Sequence, residues 1–257
     1  MFIPGLGRKT VNKVVSEGAP ACQTVYALDG TKAFSGEWDP RLILNVLSAS
    51  DSAFWSGKSV LDLGANTGGL SVEIARLGAR VTLAEPDPYK NTLQRSLDTV
   101  RGIVADEKLD LDIQQLDLIQ TRELPAHDVI LCLGLLYHFK YPQYIIDTLS
   151  WMKPAFLFLS CQTHPSDDIA MYNRRHPGIM ARNHFEPVTY PLSGWHPTRS
   201  ALKLMLEAGG FGEIVDLTNK RYDFPQKMPG LTNTTYYRAK CLAPKNPDVE
   251  KAIFYPR

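Results

Sequence analysis

The sequence predicts an α/β fold built on a mostly parallel sheet. Three observations point to it. From Ser59 onward, short apolar runs alternate with amphipathic stretches, the pattern of βαβ units with right-handed crossovers. The short runs are almost continuously apolar, as strands are when helices cover both faces of a sheet. A glycine-rich loop follows the first of these strands directly, in "SVLDLGANTGGLSVEIARLGARVTLAEPD" at residues 59–87.

Residues 1–37 lack a clear period and are punctuated by Gly5, Gly7, Gly18, Pro20, Gly30 and Gly36. They read as an arm with one short helix near residues 9–16. Asp39 is placed to cap a helix with Pro40 in its first turn, and Leu42, Ile43, Val46 and Leu47 form the apolar face. "SVLDLGA" is a strand and "GLSVEIARLG" a helix closed by Gly78. "RVTLAEP" is a strand stopped by Pro86, and "PYKNTLQRSLDTVRGIVAD" is a helix. "LDIQQLD" reads as a strand, "DVILCLGLLYH" as a longer one, "PQYIIDTLSWMK" as a helix and "AFLFLSCQT" as a strand. Regularity breaks at Gln162, and residues 162–197 hold Pro, His, Arg, Tyr and Trp without a period. Long irregular stretches of this kind are usually functional or disordered, and the aromatics argue against disorder. "TRSALKLMLEAGGF" is an amphipathic helix, and "GEIVDLTN" and "TTYYRAKCLAP" are a closing pair of strands. The expected organisation is an N-terminal arm and helix over residues 1–50, closing over a ligand site. A main domain follows over residues 51–257, with an acceptor-binding insertion at about residues 162–197.

Composition narrows the function classes. Hydrophobic residues make up 44% of the 257 and charged residues 21%, as in ordinary globular proteins. The formal net charge is +1 with no strongly basic run, which argues against a protein whose main task is gripping phosphate backbones. The opening "MFIPGLGRKTVNK" is broken by proline and glycine and does not read as a signal peptide. No apolar run approaches the roughly 20 residues of a membrane span. Cys22, Cys132, Cys161 and Cys241 are scattered without C-x-x-C spacing, as expected of reduced cytoplasmic thiols.

The glycine loop resembles a dinucleotide fingerprint with its middle glycine replaced. A G-x-G-x-x-G frame starting at Gly64 meets Asn66 where the second glycine belongs, then Gly69. That second glycine lets the backbone approach a pyrophosphate. Asn66 adds bulk there, and Asp62 adds negative charge. Both disfavour a diphosphate and suit a ligand with an ammonium group and a cationic centre. Glu85 lies roughly 20 residues downstream, where an acidic residue takes ribose hydroxyls. A nucleoside with a positively charged tail fits these demands, and S-adenosylmethionine (SAM) is the common cofactor of that description.

"VLDLGANTGGLS", "LAEPD", "LD" at 116–117 and "LCLGLLYHF" resemble the successive motifs of class I SAM-dependent methyltransferases. The resemblance covers residues 59–160 well, and the order of elements extends it to about Leu242. "GLLYHFKYP", "WHPTRSALKLMLEAGGF" and "GEWDPRLILNVL" are similar to the branch that contains the tRNA wobble-uridine carboxymethyltransferases and related small-molecule methyltransferases. The resemblance implies a Rossmann-like seven-stranded sheet of order 3-2-1-4-5-7-6 with strand 7 antiparallel. It implies that Gly64, Asn66 and Gly68 shape the loop under the methionine portion, and that Asp62 meets the amino group. Glu85, beside Pro86, would take the ribose, Asp117 and Leu118 would approach the adenine, and the main chain at Leu133 and Gly134 would line the methionyl side. Trp38 would belong to the closing arm, or else to the core.

Methyl transfer to a hydroxyl benefits from a general base. His138, His184 and His196 are candidates because imidazole titrates near neutrality. Tyr137 and His138 follow the fourth strand; they either pack and cap the next helix or reach the sulfonium region and the substrate. Tyr172, Arg174, Arg182 and Trp195 are candidates for acceptor binding, with a solvated face or a core position as the alternative. His164, Asp167, Asp168, His176 and His184 lie close in sequence without compact ligand spacing, so no metal is expected. The whole reads as a cytoplasmic SAM-dependent methyltransferase of a small-molecule acceptor, at a hydroxyl of a sugar or natural product. The alternatives are a tRNA wobble-uridine enzyme using a carboxylated SAM, a SAM-binding module without chemistry, and a nucleotide-cofactor oxidoreductase. The near-neutral charge and the short N-terminal region speak against the first, and Asn66 against the last.

Overall fold

A computed structural model describes residues 22–36, 38–48, 52–86, 91–116, 125–139, 141–164, 166, 168–175, 193–218 and 234–245. The arm opens with β1 (Val25–Tyr26) and β2 (Lys32–Phe34), an antiparallel pair that the glycine-punctuated sequence does not announce. Its turn is tied by Asp29, whose carboxylate accepts from both the N–H and the hydroxyl of Thr31 at 2.9 and 2.7 Å. The expected helix near residues 9–16 lies outside the described residues.

Helix α1 (Pro40–Ser48) starts as expected, with Asp39 Oδ1 accepting from the Arg41 N–H at 2.9 Å. Its buried face is Ile43, Leu44, Val46 and Leu47, so Leu44 replaces the expected Leu42 at the centre of the stripe. The alternating core then follows: β3 (Ser59–Leu63), α2 (Gly69–Arg76), β4 (Arg80–Glu85), α3 (Asn91–Glu107), β5 (Leu111–Gln115), β6 (Val129–Leu133), α4 (Pro142–Trp151) and β7 (Phe156–Gln162). The expected long strand through Tyr137 is shorter. It ends at Leu133, Gly134 turns the chain at φ 68°, and Leu136–His138 form a single 3₁₀ turn. The expected irregular stretch after Gln162 contains an antiparallel pair, β8 (Met171–Arg175) and β9 (Ser193–Pro197), which its mixed composition conceals. Helix α5 (Arg199–Ala208) follows, capped by the Thr198 hydroxyl accepting from the Ala201 N–H, and then β10 (Phe211–Asp216) and β11 (Thr234–Cys241).

The seven core strands form one mixed sheet in the order β10-β11-β7-β6-β3-β4-β5. Numbered among themselves by their place in the chain, this is 3-2-1-4-5-7-6. The last strand, β11, runs antiparallel to both β7 and β10. Register is set by burial: Val60, Leu61, Leu63, Val81 and Leu83 are at most 3% exposed, as are Val129, Ile130 and Leu131. Shifting such a strand by one residue would exchange its two faces.

The chain divides into two compact units. The first contains the arm, β3 to β5 and their helices. The arm rests on α2: Arg41 bonds Glu73 at 3.2 Å and lies over the Tyr26 ring, and Arg76 donates to the Tyr26 carbonyl at 2.9 Å. The second unit centres on Leu157, Phe158 and Leu159 of β7, together with Ile145, Ile146 and Leu149 of α4, Leu202 and Leu206 of α5, and Tyr236 of β11.

Candidate active site

In the first unit the loop between β3 and α2 is held by a chain of specific acceptors. Gly64 N–H donates to the Ala84 carbonyl at 2.9 Å. Asn66 takes the left-handed conformation, φ 59°, which asparagine tolerates better than most residues. Its N–H donates to a carboxylate oxygen of Glu85, and its own Oδ1 accepts from the Thr67 N–H at 2.8 Å. Gly68, which precedes α2, takes φ 81°, a backbone conformation that L side chains rarely adopt, and a Cβ there would also stand 2.6 Å from Leu83 Cδ1. In the first turn of α2 the Leu70 N–H donates to Gln23 Oε1 at 2.7 Å, and in the loop the Thr67 hydroxyl donates to the Gln23 carbonyl at 2.6 Å.

In a dinucleotide site, N–H groups at this position face phosphate oxygens. Here Asn66, Thr67 and Leu70 already direct theirs to protein acceptors. The sequence suggested that Asn66 obstructs a pyrophosphate by bulk. The geometry adds that its side chain turns back onto the loop and takes an N–H for itself.

Two buried carboxylates flank the loop. Asp62 is 3% exposed, and burial pushes its pKa up to about 7, against the Ser71 hydroxyl that donates to it at 2.7 Å. Glu85 is 7% exposed and is likewise pushed up to about 7, by burial first. The Asn66 N–H opposes that rise and the charge of Asp62 adds to it. Two acids held near neutrality by burial favour a ligand that brings positive charge and hydroxyl donors. These acceptors therefore fit a cationic nucleoside such as SAM, and they do not fit a diphosphate.

Other residues expected to hold the cofactor lie nearby in sequence. Pro86 is exposed, and its carbonyl accepts from Gln115 at 3.0 Å. Trp38 joins the arm by main-chain bonds, from its N–H to Cys22 O at 3.0 Å and from the Thr24 N–H to its carbonyl at 2.7 Å. Asp117 and Leu118 lie outside the described residues.

The second unit brings aromatic rings together. Leu133 ends β6, and the Gly134 N–H donates to both the carbonyl and the hydroxyl of Ser160, at 3.1 and 2.9 Å. On the following 3₁₀ turn, the Tyr137 ring stacks on His196 with centroids 5.7 Å apart and contacts His138 at 4.5 Å. His196 is 1% exposed, and its Nδ1 lies 3.3 Å from the Gln162 carbonyl. A carbonyl can only accept, so Nδ1 carries the proton, and in the neutral ring the lone pair sits on Nε2. His138 is pushed down to about 4, first by its protein surroundings and then by the charge of His196. The residue is exposed, and the lowered pKa keeps its imidazole neutral at physiological pH. Burial drives the Tyr137 phenol far above its ordinary pKa, which keeps it protonated as a donor.

Of the residues expected to bind the acceptor, Tyr172 pairs with His196 in the β8–β9 register, and Arg174 pairs with Gly194. The backbone alone is described for Tyr172, Arg174 and Trp195, and Arg182 and His184 lie outside the described residues. Among the described residues, no group of three or more His, Cys, Asp or Glu is placed to hold a metal ion. Sequence reasoning missed Gln23, Ser71 and Gln162. Gln162 carried a readable signal as the polar residue ending an apolar strand. Gln23 carried none.

The fold and the two buried acids beside a glycine loop define a class I SAM-dependent methyltransferase. Residues 37–215 match the family model of the methyltransferase domain, and the chain belongs to that family. It is 32% identical over 139 residues to a ubiquinone biosynthesis O-methyltransferase of Xylella fastidiosa strain 9a5c, covering 50% of this chain and 55% of that protein. A protein of the same name from Nitrosococcus oceani is 32% identical over 116 residues, covering 43% and 47%. The matched region thus spans about half the length of these relatives. Among solved structures, the N-terminal domain of EvdMO1 with S-adenosylhomocysteine (SAH) bound shares the fold at TM-score 0.62 and 20% identity, covering 88% of this chain and 92% of that one. Magnesium protoporphyrin IX methyltransferase of Synechocystis PCC 6803 with bound SAH shares it at TM-score 0.52 and 16% identity, covering 78% and 81%. Among the described residues, no helix is long and apolar enough to cross a membrane.

Proposed function

We propose that this protein is a cytoplasmic enzyme that methylates a hydroxyl oxygen of a small molecule, a sugar or natural product, with His196 as the general base. The observation that carries the reading is the bond from His196 Nδ1 to the Gln162 carbonyl at 3.3 Å. It orients the ring and leaves Nε2 as the basic atom. Kinship with proteins named O-methyltransferases supports oxygen as the acceptor atom.

SAM, when bound, supplies an electrophilic methyl group. This chain's residues do the rest. Asp62 and Glu85 bind by charge and by accepting hydrogen bonds. The family resemblance assigns the main chain at Leu133 and Gly134 to the methionyl side. His196 removes the hydroxyl proton, Tyr137 fixes the plane of its ring, and His138 stays neutral beside it. Alignment of the acceptor oxygen is the chief requirement of an in-line transfer. Tyr172, Arg174, Arg182, His184 and Trp195 belong to the segment that would set acceptor choice.

The likeness to the wobble-uridine branch enters as a competing acceptor, tRNA. Labelled SAM is incubated with the protein and either a panel of hydroxylated small molecules or bulk tRNA. The proposal expects label in the small-molecule pool as a base-stable ether. Label in tRNA, or in an amine, overturns it.

A further inference from the structure

We propose that Gln23 is a positioning residue for the cofactor loop, so that the loop is set for its ligand only while the arm is docked. The inference rests on SAM binding by the first unit. Gln23 lies just before β1 and touches the loop at two points. Its carbonyl accepts from the Thr67 hydroxyl at 2.6 Å, and its side-chain Oε1 accepts from the Leu70 N–H at 2.7 Å. The first turn of a helix leaves N–H groups without partners, and a side-chain acceptor supplies one. Gly68, the residue that precedes α2, offers no side-chain cap. The acceptor for this turn comes instead from 47 residues upstream.

The fit of arm and helix is close enough to be exclusive. A Cβ on Gly69 would lie 2.2 Å from the Thr24 carbonyl, so the arm's backbone occupies the space of a side chain. A Cβ on Gly36 would lie 2.4 Å from the Cys22 carbonyl, so the arm is equally tight against itself. The Thr24 hydroxyl donates to the Gly36 carbonyl at 2.9 Å, and the Thr24 and Trp38 N–H groups close a bridge between the two halves of the arm. Arg41 ties the same segment to Glu73 of α2, and Arg76 of α2 donates to the Tyr26 carbonyl of the arm at 2.9 Å. Thr67 and Leu70 bracket Gly68 and Gly69, and Asn66, one residue earlier, is held by Glu85. One rigid path therefore runs from the arm through Gln23 to the loop and on to the ribose-side carboxylate. Coupling of this kind is reciprocal: what the arm does for the ligand, the ligand does for the arm.

The test uses the full chain, SAH, and the variants Gln23→Ala, Gln23→Met and Gln23→Glu, each checked by thermal melting. Glutamate keeps an acceptor at the same reach; alanine and methionine do not. Expected are SAH affinities roughly five- to tenfold weaker for Ala and Met, and within about twofold of wild type for Glu. Amide exchange at Leu70 should accelerate in Ala and Met without ligand, a readout independent of SAH. Saturating SAH should slow exchange at Thr24 and Trp38 in wild type and lose that effect in Met. If Ala does not fold, Met and Glu decide the matter. Wild type that binds SAH while all variants bind it equally overturns the coupling alone, as does a Glu variant as weak as Met. Wild type that binds no SAH overturns the cofactor reading and the coupling with it.

Discussion

The loop of the first unit and the ring cluster of the second are built from different materials. Around the loop, position is fixed by main-chain N–H groups, each directed to a named acceptor: Ala84 for Gly64, Glu85 for Asn66, Asn66 for Thr67, Gln23 for Leu70. The second unit relies on side-chain rings, with Tyr137 between His138 and His196 and one hydrogen bond to Gln162. The contrast suits the proposed division of tasks, with backbone and carboxylates for the cofactor and side-chain rings for the acceptor.

The largest effect that would sharpen this contrast comes from the second unit. His196→Ala should lower turnover by about 10²- to 10⁴-fold, the usual worth of a positioned general base. SAM affinity should stay within about threefold, because the first unit is untouched. Label transfer and calorimetry on the same preparation check both numbers. An equal loss in affinity and turnover would break the division of labour.

Next in size is Glu85→Ala. It removes a charged acceptor and strands the Asn66 N–H. SAM affinity should fall ten- to a hundredfold, in line with about 1.5–3 kcal/mol for a lost charged hydrogen bond. Calorimetry on folded variant protein that shows wild-type affinity removes Glu85 from the ribose assignment.

A smaller effect follows from pH. Burial raises both Asp62 and Glu85 to about 7, and a cationic ligand favours their ionised forms. SAM affinity should therefore weaken as pH drops below 7 and level off above it, with protons released on binding near neutrality. Calorimetry in buffers of different ionisation enthalpy counts those protons. The stability of the ligand-free protein should run the other way. A carboxyl whose folded pKa exceeds its unfolded value of about 4 contributes stability that is complete below 4. That contribution is lost as pH rises to about 7. Denaturant titrations across pH 4–8 should show the decline, and saturating SAM should offset it.

The same contrast explains what the sequence made legible. The strands were readable because β3, β4, β6 and β7 are apolar runs ended by glycine, proline or a polar residue. Asp62, Asn66 and Glu85 were readable because their spacing is tied to strand length and loop geometry, both local in sequence. The β1–β2 pair was not, since two short strands rich in polar and glycine neighbours give no period. The β8–β9 pairing sets Tyr172 against His196 across a long separation, which no local pattern encodes. The meeting of Tyr137, Gln162 and His196 was hidden for the same reason. Gln23 was hidden because a glutamine that caps a distant helix looks like any other glutamine.

The central claim is that the first unit's loop, filled by its own acceptors and flanked by two buried acids, takes a cationic nucleoside and rejects a diphosphate. The most direct measurement is a SAM titration of the wild-type protein by calorimetry, repeated in the presence of NAD at the concentration where SAM saturates. The account predicts saturable SAM binding whose affinity NAD leaves unchanged. Displacement of SAM by NAD at similar concentration would contradict it.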